Sequence, residues 1–401
     1  MIDRAESSVT QAGGAPGRNG GSLSSVVPVL RWSVILYLAF LPIYYILPSD
    51  NSIRDIIYLF PLLIVAECLR REGVKIRRAG VVWILAYAGF GIIMLTQLNF
   101  AEIALKEYVF ILLSISPFVL KFAVSRRFAK YLVVVGLVNV VIILTSTDAT
   151  GLDLSVGSSS GRAESSFGLI VPIVFFALYI QKRWMWSLVA IVICFLMFKR
   201  VAIIAMILAV GFDLVLIGQA RNAFKQMLKP IAGVTLLAFT MLVSLNSVVF
   251  YETASIFLLD SFDLRISPNA LSSGRYYTVA VFTHRVLDDV SWVQIVFGHG
   301  PGASSYYLSN MTALGEGQFS LLHNDWLRIF TDYGLIGISV VSVAFYKAVM
   351  SKRFIAMVGV YTMVIFMSDN VATYLIFWLA VALLFAGTLD RVHGRIEGKR
   401  A

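Results

Sequence analysis

The chain alternates between long apolar runs and short polar connections. Most runs lie close to the length of roughly 20 residues that a helix needs to cross a bilayer. This pattern predicts an all-α polytopic membrane protein in which each apolar run is a transmembrane helix. We predict twelve such helices, at residues 29–47, 53–69, 79–97, 103–120, 128–146, 167–181, 184–198, 201–218, 230–250, 333–350, 354–369 and 371–388.

These runs divide the chain into five segments. Residues 1–28 are polar and rich in Gly and Ser, which predicts a disordered cytoplasmic tail and not a cleavable signal peptide. Residues 29–250 hold helices one to nine, and residues 251–332 form one long periplasmic loop. Residues 333–389 hold helices ten to twelve, and residues 390–401 form a cytoplasmic tail. A loop of this length inside a compact fold is usually functional.

Lysines and arginines between the runs set the predicted orientation. Basic clusters follow the even-numbered helices, and Lys/Arg-rich loops face the cytoplasm. Both termini are therefore predicted to be cytoplasmic, and the long loop lies on the opposite side. Nine cations depart from this rule: Arg54, Lys106, Arg162, Lys199, Arg200, Arg265, Arg275, Arg285 and Arg328.

Composition excludes several classes of protein. Hydrophobic residues make up 59% of the chain and charged residues 14%, and a soluble domain of this size needs more charge to cover its surface. The net charge of +10 does not predict nucleic-acid binding, because the basic residues sit in short clusters beside the apolar runs. The two cysteines, Cys68 and Cys194, lie inside apolar runs and predict neither a disulfide framework nor a thiolate metal site.

The outward cations predict a binding site for an anionic ligand. A guanidinium donates two hydrogen bonds to one phosphate and stays charged, so we expect Arg162, Arg200 and Arg275 to contact such a ligand. Lys199 and Arg200 lie between two apolar runs, where a pair of cations is costly and normally has a functional partner. The alternative is that their side chains reach lipid phosphates at the membrane surface.

A polar cluster precedes the tenth helix, in the stretch FSLLHNDWLRIFTDYGLIG at 319–337. Imidazoles titrate near neutral pH, so His323 is a candidate general base, and Asn324 is a candidate to hold an acceptor or the imidazole. The alternative is a helix start with Asp325 as its N-cap. We predict that Trp326 is an anchor at the membrane interface.

Two other stretches of the long loop carry a local signal. The sequence GHGPG at 298–302 lacks the strand and helix of a nucleotide-binding motif, and predicts a tight turn at which the backbone closely approaches another group. The sequence SSGRYYTVAVFTHRVLDDV at 272–290 predicts a helix lying on the membrane. No spacing of Asp, Glu and His specific for a metal ion occurs.

Taken together, these motifs resemble the bacterial O-antigen polymerase and O-antigen ligase superfamily. The resemblance covers most of residues 150–390, although Gly168 and Leu169 stand where many relatives have Pro-Asn, and Lys199 stands where relatives have Ser. The matching segments are GHGPG…LLHNDWLRIFTDYGLIG with His323, Asn324, Leu327, Gly334 and Gly337, SSGRYYTV with Arg275, FKRVAII with Arg200, GRAESSFGLIVP with Arg162, and MSDNVATY.

This resemblance implies a GT-C-like glycosyltransferase of the bacterial inner membrane that uses neither metal, cofactor nor nucleotide sugar. The implied donor is an oligosaccharide on undecaprenyl diphosphate, and the implied acceptor is a glycan or lipid A-core. The bilayer and a chain-length regulator protein are further implied partners, and nucleic acid is not. The active site would be periplasmic, and a single-step attack would invert the anomeric configuration.

The site residues divide into two predicted groups. Arg275, Arg200 and Arg162, with Lys199 in support, bind the diphosphate, whose developing charge needs preorganised cations. His323 and Asn324 are catalytic. Polymerisation of repeat units into O-antigen or exopolysaccharide is the first prediction, and ligation of glycan to lipid A-core is the close alternative. A non-catalytic flippase or transporter is more distant, because it predicts internal repeats that the sequence lacks.

Overall fold

The computed structural model describes residues 31–47, 52–72, 78–95, 101–119, 124–146, 166–197, 199–217, 223–272, 274–287, 290–311 and 322–397. The predicted tail at 1–28 and the predicted diphosphate ligand Arg162 lie outside these residues. Within them the chain is helical, and no β-strand occurs. The all-α prediction is confirmed for this part of the chain.

The α-helices are numbered here in chain order. Short 3₁₀ helices at Ser52–Leu59, Ser166–Leu169 and Val371–Thr373 and a π-helical turn at Asp213–Ile217 lie between or beside them. The α-helices of the described residues are α1 (Trp32–Ile46), α2 (Phe60–Glu72), α3 (Arg78–Leu95), α4 (Ala101–Val119), α5 (Phe128–Ser146), α6 (Val171–Ile180), α7 (Trp184–Leu196), α8 (Arg200–Phe212), α9 (Ala223–Leu245), α10 (Ser247–Phe262), α11 (Pro268–Leu271), α12 (Tyr276–Val286), α13 (Trp292–Phe297), α14 (Ala303–Ser309), α15 (Asp325–Met350), α16 (Arg353–Ile365) and α17 (Leu375–Glu397).

Each of the twelve apolar runs that we predicted to span a membrane overlaps at least one helix of the described residues. Two segments among the described residues, Met227–Leu245 and Asp325–Met350, are long and apolar enough to cross a bilayer, and other apolar helices are shorter. Helix α17 continues to Glu397, so the C-terminal tail predicted at 390–401 begins as helix.

The main core lies where α6, α16 and α17 pack between the other helices. Helices α6 and α16 and the first part of α17, through Ala386, are apolar and largely buried, as expected for central elements of a bundle. The helices around them expose large apolar side chains to the outside as well, including Trp184, Met185, Ile207 and Phe239. The described part of the protein therefore has an apolar exterior around an apolar interior.

The segment predicted as one long loop, residues 251–332, contains several helices. Its first residues belong to α10, which begins directly after α9, so the predicted boundary at 250 falls inside a helix. Helix α12 confirms the helix predicted within 272–290. It closes a second, smaller core, made of Val279, Phe282, Val286, Leu308, Met311, Leu322 and Leu327.

The GHGPG turn contacts α15 backbone to backbone. Gly334 interrupts α15 with φ 59° and ψ −156°, which frees carbonyl groups of the preceding turn. The N–H of His299 donates to the Thr331 carbonyl at 2.8 Å, and the N–H of Gly300 donates to the Asp332 carbonyl at 2.9 Å. A Cβ added at Gly298 would lie 2.4 Å from the Asp332 backbone, which confirms the close approach predicted for this turn.

Candidate functional site

Four side chains from distant parts of the sequence meet at one end of the helix bundle. Lys199 precedes α8, Arg275 precedes α12, His323 lies just before α15, and Asp369 lies in the turn between α16 and α17. We call these four residues the His323–Asp369 cluster. They come together because the ends of four separate helices pack at this point.

Asp369 is the centre of the cluster. Its carboxylate is fully buried, and the Lys199 ammonium lies 2.8 Å from Oδ2. The Nδ1 atom of His323 lies 3.6 Å from Oδ1, and the His323 side chain is 36% exposed. The Arg275 guanidinium donates to the carbonyl of Ser368, the neighbouring residue. The cluster thus holds one buried carboxylate between a lysine and an accessible imidazole, with an arginine beside it.

Asp369 was not among the predicted site residues. The signal available was an acid between two apolar runs, in the stretch MSDNVATY, with no basic residue close by in the sequence. A buried carboxylate requires a charged or hydrogen-bonding partner. Lys199 supplies it from 170 positions earlier in the chain, as the residue numbers give.

Each residue of the His323–Asn324–Asp325 stretch contacts a different group. The Asn324 side chain is the N-cap of α15: its oxygen accepts from the Leu327 N–H at 3.0 Å, and its amide donates to the Ser244 carbonyl at 2.9 Å. The N-cap of α15 is therefore Asn324 and not Asp325, the residue that the alternative interpretation named. The asparagine keeps the extended backbone that an N-cap requires, which leaves the His323 side chain directed at Asp369.

Asp325 and Trp326 hold the start of α15 in the core. The Asp325 carboxylate accepts from the Ala372 N–H at 2.7 Å, and so fixes the turn that carries Asp369. Trp326 is fully buried against Phe345 and Phe366. The predicted interfacial role of Trp326 is therefore wrong, because packing between α15 and α16 removes its ring from any outer surface.

The sequence around Arg275 explains its position. Ser272 Oγ accepts from the backbone N–H groups of Arg275 and Tyr276, at 3.1 and 2.7 Å, and so fixes the turn that precedes α12. Gly274 adopts φ 84°, in the left-handed region that favours glycine. This tight turn directs the Arg275 guanidinium at the Ser368 carbonyl.

The other predicted cations have different surroundings. Arg200 is the first residue of α8, and its side chain is exposed. No hydrogen bond or ion pair joins Arg200 to another residue that the structure describes. Lys199 is 7% exposed and contacts Asp369, although we predicted it beside the diphosphate. The diphosphate-binding roles of Arg200 and Arg162 stay predictions.

Arg328 belongs to a second buried network near the cluster. Its guanidinium contacts the Glu107 carboxylate of α4, lies 3.8 Å from Asp332 Oδ2, and donates to Thr373 Oγ1 at 3.0 Å. Arg328 is 4% exposed. The sequence left the role of Arg328 open, and these contacts assign it to the junction of α4, α15 and the turn before α17.

Asp213, which lies within the eighth apolar run, has its partner at the opposite end of α8 from Lys199. Arg353 Nε donates to Asp213 Oδ1 at 2.6 Å, and Arg353 also donates to the Tyr179 hydroxyl at 3.1 Å. Lys199 and Asp213 are fourteen positions apart in the chain, which is about 21 Å along a helix. The Lys199–Asp369 pair and the Asp213–Arg353 pair therefore lie at opposite ends of α8.

His299 lies in the GHGPG turn and is largely buried. Its Nδ1 lies 3.2 Å from the Thr331 carbonyl, and its ring meets the edge of Tyr307. Burial lowers the pKa of the His299 imidazole below its ordinary value, and the hydrogen bond to the Thr331 carbonyl opposes this effect in part. His299 is therefore suited to stay neutral while it holds the turn on α15.

Among the described residues, no group of three or more His, Cys, Asp and Glu side chains is arranged to hold a metal ion. No model of a known protein family matches the chain, and no curated protein or solved structure does so either. Its chemistry must therefore be argued from the His323–Asp369 cluster itself.

The cluster places a buried carboxylate 3.6 Å from one nitrogen of an accessible imidazole. A carboxylate on one ring nitrogen of a histidine keeps that nitrogen protonated and stabilises the imidazolium that forms when the other nitrogen takes a proton. Because Asp369 faces Nδ1, we assign the free lone pair of His323 to Nε2. Arg275 adds a cation beside the same turn. The imidazole of His323 suits a reaction that removes a proton from one reactant. The guanidinium of Arg275 suits the release of an anion in the same reaction.

Proposed function

We propose that this protein is a membrane glycosyltransferase that polymerises oligosaccharide repeat units carried on undecaprenyl diphosphate. The reaction takes place at the periplasmic face of the bacterial inner membrane and yields O-antigen or exopolysaccharide. The observation that carries the proposal is the contact of an accessible His323 with a buried Asp369, next to Arg275. The resemblance of these segments to O-antigen polymerases and ligases supplies the substrate class.

In this proposal twelve helices cross the membrane in a GT-C-like arrangement, with both termini in the cytoplasm. The charged groups at the two ends of α8 support it, because Arg353 belongs to a predicted cytoplasmic basic cluster and the His323–Asp369 cluster lies at the opposite end. Their separation of about 21 Å is less than the bilayer core of about 30 Å. Charges at that depth must be paired inside the protein, and Lys199 and Asp213 both are.

The proposed reaction is a single displacement. The acceptor hydroxyl oxygen attacks the anomeric carbon of the donor, and the bond from that carbon to the diphosphate oxygen breaks. The electron pair leaves with the diphosphate, and the hydroxyl proton passes to Nε2 of His323. Asp369 stabilises the imidazolium, and Arg275, with Arg200 and Arg162, stabilises the negative charge that develops on the diphosphate. Attack opposite the leaving group inverts the anomeric configuration.

Lys199 and Asn324 act indirectly in this mechanism. Lys199 neutralises Asp369, which keeps the carboxylate in place next to His323. Asn324 caps α15 and fixes the backbone from which the imidazole extends. Both are positioning residues, whereas His323 is the catalytic residue.

The test is reconstitution of the purified protein with an undecaprenyl-diphosphate-linked repeat unit. The wild type should produce a ladder of longer lipid-linked glycans, and His323→Ala should lose it by at least about 100-fold. His284→Ala is the matched control, because His284 is an exposed histidine in the last turn of α12, whereas Arg275 at the start of this helix contacts the turn that carries Asp369. Transfer only after lipid A-core is added would make the protein a ligase. Translocation of the lipid-linked glycan with no new glycosidic bond would overturn the proposal in favour of a transporter.

A further inference from the structure

A cavity of about 540 Å³ opens at the same end of the bundle as the His323–Asp369 cluster. The ends of α1 and α4, the 3₁₀ helix at Ser52–Leu59, α14 and the start of α17 surround it. Its volume falls within the range of about 300–1,000 Å³ that small-molecule sites occupy. We call it the α1–α4 cavity.

Aromatic rings and two cations line the α1–α4 cavity. The Arg54 guanidinium lies 4.3 Å above the Tyr44 ring, and the Lys106 ammonium lies 5.7 Å from the centre of the Phe110 ring. A guanidinium held on an aromatic face keeps the N–H donors at its edge available to a ligand. Tyr374 adds a further ring to the wall.

Neither cation forms an ion pair with another residue that the structure describes. Two acids, Glu107 and Asp55, also line the cavity, but neither forms an ion pair with Arg54 or Lys106. Glu107 is already neutralised by Arg328. Asp55 is exposed and pairs with neither Arg54 nor Lys106. Arg54 and Lys106 therefore present donors to the cavity that no ion pair with a described residue occupies, which favours an anionic ligand.

The cavity adjoins the His323–Asp369 cluster through a single turn. Asp369 lies on this turn and belongs to the cluster, while Thr373 and Tyr374, a few residues later, line the cavity. The carboxylate of Asp325 fixes the turn through the Ala372 N–H. A ligand in the cavity would therefore contact the turn that carries Asp369, the partner of His323.

We propose that the α1–α4 cavity binds an anionic saccharide, the terminal sugars of the acceptor glycan, with Arg54 and Lys106 contacting a sugar carboxylate. This inference rests on the proposed function, because that function requires an acceptor beside His323. Tyrosine rings and hydroxyl groups suit the apolar faces and hydroxyls of sugars. A lipid chain would leave the two cations and the tyrosine hydroxyls without partners in a dry site, which is costly.

The test is equilibrium binding to the full-length protein in lipid nanodiscs. The probes are a trimer of galacturonic acid, the neutral trimer of galactose, and inorganic pyrophosphate. The acidic trimer should bind at least about tenfold more tightly than the neutral trimer, since a charge-assisted contact of this kind is worth roughly that factor. Pyrophosphate should not displace it.

Two substitutions locate the binding. Arg54→Gln and Lys106→Gln should each weaken binding of the acidic trimer about tenfold and leave binding of the neutral trimer unchanged. Lys130→Gln is the matched control, because Lys130 also lies over an aromatic ring, that of Trp186, outside the cavity. Both substituted side chains are at least partly exposed, so the variants should fold.

The results that would overturn this inference differ from those that would overturn the proposed function. Equal binding of both trimers, no binding of either, or acidic binding that survives both substitutions would overturn the inference. Displacement by pyrophosphate would show that the cations bind phosphate and not a sugar carboxylate. None of these results touches the proposed function, which depends on loss of glycan products in His323→Ala. Conversely, His323→Ala should bind the acidic trimer as the wild type does.

Discussion

The Lys199 ammonium lies 2.8 Å from the Asp369 carboxylate, although the two residues belong to different helix ends. This ion pair is almost completely buried, and the same carboxylate faces His323. A buried pair of this kind contributes little net stability, since desolvation offsets the attraction, but removal of one partner leaves an uncompensated charge. We interpret the pair as the support that holds Asp369 next to the imidazole.

This interpretation makes a prediction for Asp369→Asn. The substitution should lower the free energy of unfolding by about 3–5 kcal/mol, because it leaves the Lys199 ammonium buried without a counter-charge. It should also abolish glycan products. The double variant Asp369→Asn with Lys199→Met should recover most of the lost stability, because both charges are gone, but none of the activity.

Thermal unfolding in detergent and the product ladder measure these two effects separately. A double variant that folds and still polymerises at the rate of the wild type would show that Asp369 serves only to neutralise Lys199. A single variant with unchanged stability would contradict the burial of the pair.

Gly334 makes a prediction for the fold. Its φ of 59° with ψ of −156° is a region that essentially only glycine occupies, and an added Cβ would lie 2.5 Å from the Val296 carbonyl oxygen. Gly334→Ala should lower the free energy of unfolding by about 2–4 kcal/mol. Gly211→Ala is the control, because nothing lies within 4 Å of a Cβ there, and it should change stability by less than about 1 kcal/mol. Equal stability of the two variants would contradict the described contact of the GHGPG turn with α15.

Asn324 makes a prediction that separates capping from catalysis. Asn324→Ala should lower the free energy of unfolding by about 2–3 kcal/mol, because α15 loses its cap and the Ser244 carbonyl loses a donor. Asn324→Ser retains a capping oxygen and should regain about 1 kcal/mol of that loss. Turnover per folded molecule should stay within a few-fold of wild type in both variants. A well-folded Asn324→Ser protein with activity lower by 100-fold or more would instead make Asn324 catalytic.

His299 predicts a dependence of stability on pH. Burial lowers the pKa of His299 in the folded protein, whereas in the unfolded chain it is about 6.5. Below that value the unfolded chain takes up a proton before the folded protein does, so the free energy of unfolding should fall as the pH drops below about 6.5. The measurement is unfolding midpoints between about pH 7.5 and 5, for wild type and His299→Gln. The wild type should lose more stability over this range, and parallel curves would contradict the account.

The sequence predicted the helices well because their signal is local. Apolar runs and basic connections mark α1 to α9 and α15 to α17, and the glycines of GHGPG predicted a close backbone contact. The Gly334 break lies one residue inside the tenth run, which we predicted to begin at 333. The same local reasoning misplaced the end of the ninth run, because α10 continues the helical chain with an equally apolar composition.

The site was only partly predictable because its contacts are not local. His323 and Arg275 carried motif signals, but the pairing of Lys199 with Asp369 depends on which helix ends are neighbours. Arg328 shows the same limit, since its partner Glu107 lies in α4. Asn324 and Asp325 are both good N-caps by residue type, and only the backbone of the described helix distinguishes them.

The central claim is that His323 accepts the proton of the attacking hydroxyl. The most direct measurement is the rate of glycan extension by reconstituted His323→Ala, with and without added imidazole. The side chain of His323 is 36% exposed, so free imidazole should reach the space that the substitution leaves. We predict a loss of at least about 100-fold, partly restored by imidazole in proportion to its concentration. Extension by His323→Ala at the rate of the wild type would contradict the account.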